Sequence, residues 1–241
     1  ETVKASGKNV SVVASGHNSD DMNAQIEEMT AMANTGVDAI VWVSNRLDLH
    51  NDGDDVWIKN AEHRLSKLPE DIAIGIYECP YPYKRILTPK ILDWCISTGR
   101  FTFIKDTCCD PDMLDARLEQ LKGTSIKLFN ANSQTFLYTL RHGAAGFSGI
   151  MGNFHPDLYA WVCENYEKEP EKAERVQGFL TLTAFLEVLA YPQTAKYHMN
   201  KVGVPMSLWS RSCDQKKFTK YQRMIIDELI QTENHVRDII K

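Results

Sequence analysis

Six short β-rich runs recur along this chain, and their spacing limits the fold more than any other feature. They are Val10–Ser15, Asp38–Ser44, Ile72–Glu78, Phe101–Asp106, Ile126–Asn130 and Gly146–Met151. Their starts lie about one strand-helix unit apart, the mark of a wound parallel sheet. The segments between them carry helix signals. Ser19-Asp20-Asp21 caps a helix over Met22–Ala33, whose Met22, Ile26, Met29 and Ala33 form one apolar stripe. Pro89 and Pro111 sit in the first turns of helices running to Ile96 and Leu121, and Pro156 opens another with Leu158, Val162 and Tyr166 on one face. Glu171–Leu189 and Thr219–Ile240 read as long helices with no strand between them. The run Asn51–Asp55 reads as a solvated loop capping a helix.

Two of the strands end alike. Ile72–Glu78 places Tyr77 near its C-terminal end, and Phe101–Asp106 places Lys105 at the equivalent point, 28 residues later. One strand-helix unit of a parallel α/β barrel averages about 30 residues, so the two side chains fall on adjacent strands at one depth. An amine facing a phenol at a barrel mouth is equipment for Schiff-base chemistry on a keto acid. A free lysine amine, with a pKa of about 10.4, is almost wholly protonated at neutral pH. Seating Lys105 behind Phe101 and Phe103 disfavours the ammonium and frees the nucleophile. Asn45, Arg46, Arg85 and Asn132 are candidate loop contacts for a second, polar part of the substrate.

Composition removes several classes. The 241 residues suffice for one large core, and a hydrophobic share of 43% is ordinary for a globular protein. No apolar stretch reaches the roughly 18 residues of a membrane span, and the net charge of −5, without a basic patch, argues against a nucleic-acid partner. Six cysteines show no C-x-x-C pair, so reduced thiols in a cytoplasmic protein are expected. The histidines are scattered, and neither metal nor cofactor is expected, because an imine polarises a carbonyl as a Lewis acid would. Cys108-Cys109 follows the lysine strand and reads as packing, with a reactive thiol as the lesser reading. Gly143, Gly146, Gly149 and Gly152 suit close backbone approach at a strand better than a nucleotide fingerprint.

Eight strands close a barrel of this kind, and six are visible. The first residues, ending in Gly7, read as the tail of a helix, so roughly 60 residues, or two units, are expected ahead of Glu1. An open doubly wound sheet, which needs only five or six strands, is the competing architecture.

Four segments resemble the dihydrodipicolinate synthase/N-acetylneuraminate lyase family of class I aldolases. Ile76-Tyr77-Glu78-Cys79-Pro80 is similar to its tyrosine strand, with Glu78 where asparagine is usual, and Phe103-Ile104-Lys105-Asp106 to its lysine strand. Phe129-Asn130-Ala131-Asn132 stands at the seventh strand, and Gly143–Asn153 is similar to the eighth strand and its loop. The resemblance implies a (β/α)8 TIM barrel, here N-terminally incomplete, over residues 1–167, followed by a C-terminal helical region over 168–241. It implies an imine between Lys105 and pyruvate or a related 2-keto acid, with Tyr77 shuttling protons and Ser148 presenting a backbone carbonyl to the pyruvyl group. A homo-oligomer, dimer or tetramer, is the family precedent. Pro82 stands where the synthases carry a carboxylate-binding arginine, and Asn45-Arg46-Leu47-Asp48 where they carry a tyrosine pair. The family's G-x-T-G-E loop is not in the chain. These departures favour a lyase forming or cleaving a 2-keto-3-deoxy acid. A dihydrodipicolinate synthase with rearranged anchors and a non-catalytic keto-acid-binding homologue are the rivals.

Overall fold

The computed structural model describes residues 1–7, 10–211 and 213–241. Its elements, in chain order, begin with α1 (Thr2–Ser6), β1 (Val13–Ala14), α2 (Met22–Ala33), β2 (Ala39–Val43), α3 (Asp54–Leu65) and β3 (Ala73–Tyr77). Then follow α4 (Pro89–Thr98), β4 (Phe101–Asp106), α5 (Pro111–Leu121), β5 (Lys127–Asn130), α6 (Phe136–Arg141) and β6 (Gly146–Phe147). The remainder is helical: α7 (Pro156–Asn165), α8 (Pro170–Thr183), α9 (Gln193–Lys201) and α10 (Lys220–Ile240).

The six strands form one sheet in the order β1-β2-β3-β4-β5-β6, and the first four pair in parallel. A doubly wound sheet reverses its strand order at a switch point. This one does not, so the competing architecture is set aside in favour of a singly wound sheet of the kind found in α/β barrels.

The chain divides into two compact units. The first comprises Glu1–Phe129 with His142–Ala145, and the second Asn130–Arg141 with Gly146–Lys241. In the first unit one sheet face is covered by helices. Ile40 and Trp42 of β2, Ile74 and Ile76 of β3, and Phe101 and Ile104 of β4 are buried against Trp57 of α3, Ile91, Leu92 and Cys95 of α4, and Leu114 of α5. Helices α2, α4 and α5 start where a polar side chain satisfies an orphaned backbone donor. Asp21 accepts from Ala24 N at 2.8 Å, Asp110 from Met113 N at 3.1 Å and Thr88 from Ile91 N at 3.3 Å.

The second unit has its own core, including Phe136, Leu158, Val162, Val176, Leu180, Ile226 and Leu229. Thr219 and Gln222 form a reciprocal capping box that opens α10.

Several expected bounds shift. β1 is only two residues long, because its single neighbour, β2, pairs Val13 with Ala39 and Ala14 with Ile40, while the preceding backbone is held by Asp38 at Val12. β6 stops at Phe147 rather than Met151. Gly149 lies so near Ala131 O that an added Cβ would sit 2.3 Å from it, and the backbone then turns through Ile150–Asn153. The helix expected from Glu171 to Leu189 ends at Thr183, whose hydroxyl donates to Phe179 O at 3.0 Å and competes with the helical bonds. Helices α6 and α9 lay outside the sequence reading.

Candidate active site

Strand pairing puts the amine and the phenol side by side. Register matches Val43 with Tyr77 and Tyr77 with Lys105, so the three lie level across β2, β3 and β4 on the face opposite the helices. The Lys105 Nζ stands 4.2 Å from the centroid of the Tyr77 ring. Lys105 is half-buried, and burial pulls its pKa below the ordinary lysine value, with nearby Cys79 opposing that shift electrostatically.

Period-two alternation would put Phe101, Phe103 and Lys105 on one face, and the structure corrects this. A bulge in β4 lets two steps of that strand match one of β3: Ile74 pairs with Phe101 and Gly75 with Phe103. Phe101 therefore turns to the helical side, where its ring meets Trp42 at 5.5 Å and Trp94 at 5.7 Å. Phe103 stays with Lys105 and packs edge-on against Phe129 at 6.1 Å. Gly75 makes room for it, since a Cβ there would lie 2.1 Å from the Phe103 ring.

The residues that follow the pair hold it in place. Glu78 and Asp106 occupy equivalent positions one step beyond Tyr77 and Lys105, and both are fully buried. Arg117 of α5 reaches both carboxylates, bonding to Asp106 and to Glu78 at 2.6 and 3.0 Å, and donates to Leu87 O at 2.7 Å. Glu78 also accepts from Leu87 N at 2.7 Å and Thr107 N at 3.1 Å, and Thr107 Oγ1 donates to Glu78 O at 2.7 Å. The ends of β3 and β4 are thus clamped to each other and to α5. The sequence reading missed this clamp; its signal was the repeat of an acid directly after each of the two paired residues.

The expected loop contacts fall into separate settings. Asn45 is buried, and its amide donates to the carbonyls of Cys79, Tyr81 and Tyr83 at 3.1, 2.9 and 2.7 Å, fastening the loop after β3. Arg85 is paired with Asp54 at 2.8 Å and Asp48 at 3.4 Å. Arg46 bonds to the carbonyls of Asn18 and Ser19 and to Asp20. In the second unit, Asn132 caps its own turn, accepting from Thr135 N at 3.0 Å and donating to Gln134 at 2.8 Å. Ser148 N donates to Asn130 O at 2.8 Å. Burial pushes the Cys108 thiol up to about 12, which makes it a poor nucleophile.

No protein-family model matches the chain, and no curated protein sequence matches it. Solved structures do. A monomeric dihydrodipicolinate synthase variant superposes with a TM-score of 0.83 at 15% identity, over 97% of this chain and 77% of that one. YagE, a prophage protein of the dihydrodipicolinic acid synthase family from E. coli K12 in complex with pyruvate, gives 0.80 at 17% identity, over 96% and 78%. Dihydrodipicolinate synthase from Thermotoga maritima gives 0.80 at 15%, over 97% and 78%. The chain has the fold of that family.

Proposed function

We propose that this chain, which has the fold of the dihydrodipicolinate synthase family, is a Schiff-base-forming enzyme of that family acting on pyruvate or a related 2-keto acid, with Lys105 as nucleophile. The observation that carries the reading is the level pairing of Tyr77 and Lys105 on adjacent strands, with the amine half-buried and its pKa lowered. In this reading the neutral amine adds to the keto carbon. The carbinolamine loses water, and the protonated imine that results draws electrons from C3. That sink stabilises the enamine formed when the bond beyond C3 breaks, or used when C3 adds to an aldehyde. The Tyr77 phenol, on the neighbouring strand, passes the protons. Asn45 and Arg85, engaged within the fold, shape the loops that border the pair. Pro82, in place of an arginine, favours a lyase working on a 2-keto-3-deoxy acid over the synthase reaction.

Sodium borohydride with pyruvate tests the reading. One reduced pyruvyl group is expected on Lys105 by peptide mass mapping, and none on Lys105→Ala. Absence of the adduct from the unaltered protein would leave the non-catalytic keto-acid-binding reading standing instead. Pyruvate release from a panel of sugar-derived keto acids, against pyruvate consumption with aspartate semialdehyde, separates lyase from synthase.

A further inference from the structure

Two arginines of the first unit are nearly sealed from solvent, and their surroundings differ in one respect. Arg117, 4% exposed, faces two carboxylates. Arg64 of α3, 1% exposed, faces none: its Nη2 donates to two neutral oxygens, Gln25 Oε1 at 2.5 Å and Arg46 O at 2.7 Å. Among the described residues no ion pair includes Arg64, and its Nε and Nη1 are buried without a hydrogen-bond partner. A guanidinium cannot shed its charge at ordinary pH, so an unpaired one in a dry site is strongly disfavoured unless an anion joins it.

The neighbours add positive charge and further donors. Arg46 spends its Nη2 on the turn at Asn18–Asp20, and its Nε is also buried and unpartnered. His17, 2% exposed, accepts from Val43 N at 2.8 Å through Nε2, which fixes the ring in its neutral form. Burial, then Arg64 and Arg46, pull its pKa down to about 4, which places all three side chains in one electrostatic neighbourhood. Burial and Arg46 likewise lower Arg64 to about 10, whereas Arg117 is held above its ordinary value. The nearby acids are committed elsewhere: Asp20 to Arg46, and Glu28 to Ser19 and Asn18.

We propose that Arg64, with Arg46 and His17, forms a binding site for a small monoanion of chloride type, between the C-terminal ends of β1 and β2 and helices α2 and α3. Burial of the unpartnered Nε and Nη1 of Arg64 and Nε of Arg46 restricts the ligand to one or a few atoms, and these groups supply donors only. Bound there, the anion ties the turn at 17–19 to the turn at Ser44–Leu47. The assignment is independent of the chemistry at Lys105.

Thermal unfolding of the full chain, with sodium gluconate exchanged for chloride or bromide at constant pH and ionic strength, tests this. The midpoint is expected to rise by several degrees and to saturate with halide, and Arg64→Met is expected to lose that dependence. An unchanged or falling midpoint, or a rise that Arg64→Met shares, overturns the site. If Arg64→Met does not fold, anomalous scattering from bromide-soaked crystals of the unaltered protein decides: a peak beside Arg64 supports the site, and no peak there overturns it.

Discussion

Arg117 brings one positive charge to two carboxylates in a buried place, and the clamp depends on that small imbalance. Burial alone would weaken the guanidinium's hold on its proton, but Glu78 and Asp106 outweigh burial. The surplus negative charge is met by backbone donors, from Leu87 and Thr107 to Glu78 and from Cys108 to Asp106 at 2.8 Å. Replacing Arg117 with methionine keeps the bulk and strands two buried acids, at an expected cost of about 3–5 kcal/mol. Urea unfolding reads that loss. Because the same acids fix the ends of β3 and β4, borohydride trapping on Lys105 should slow by more than the fraction unfolded accounts for.

Helices of the second unit meet around a comparable buried group. Glu233 of α10 is fully buried and is bonded by His155 at the start of α7 at 3.0 Å, by His198 of α9 at 2.8 Å, and by Arg237 at 3.2 Å. Burial would raise its pKa, but the hydrogen bonds from His155 and His198 hold it at about 2, against 4.5 when exposed. A depressed carboxylate stabilises the folded state fully above its unfolded pKa and loses that contribution as pH falls toward the folded one. The contribution, about 3 kcal/mol by linkage, is therefore present above pH 4.5 and fades toward pH 2. In Glu233→Gln the group no longer titrates. The stability gap between the two proteins should be widest near neutrality and should shrink in urea titrations run at successively lower pH; a constant gap would contradict the assignment.

For the molecule as a whole, charge and exposed apolar area set its solution behaviour. A net charge of −5 near neutrality disappears at the sequence pI of about 5.8, removing the repulsion between copies. Leu182, Phe185 and Val188, spaced three apart, are 70%, 70% and 80% exposed. Light scattering at fixed concentration should rise as pH is lowered from 7.5 to 5.8, and Phe185→Glu should blunt the rise. Sedimentation velocity at pH 7.5 tests the expectation of a dimer or tetramer. Among the described residues no helix is long and apolar enough to cross a membrane.

The sequence by itself determined the parallel alternation of strands and helices and the pairing of Tyr77 with Lys105. Both follow from local periodicity and from the near-constant length of a strand-helix unit. The Asp21 cap was legible for the same reason, since it bonds within one turn. Only the tertiary structure decided which way Phe101 faces, because a bulge is a relation between two strands and leaves no mark in one strand's pattern. It also decided that Glu78 and Asp106 share Arg117, 39 and 11 residues away, while Arg64 keeps no carboxylate among the described residues. Charge compensation in a buried site is settled by what packs around it, and one sequence does not state its own neighbours.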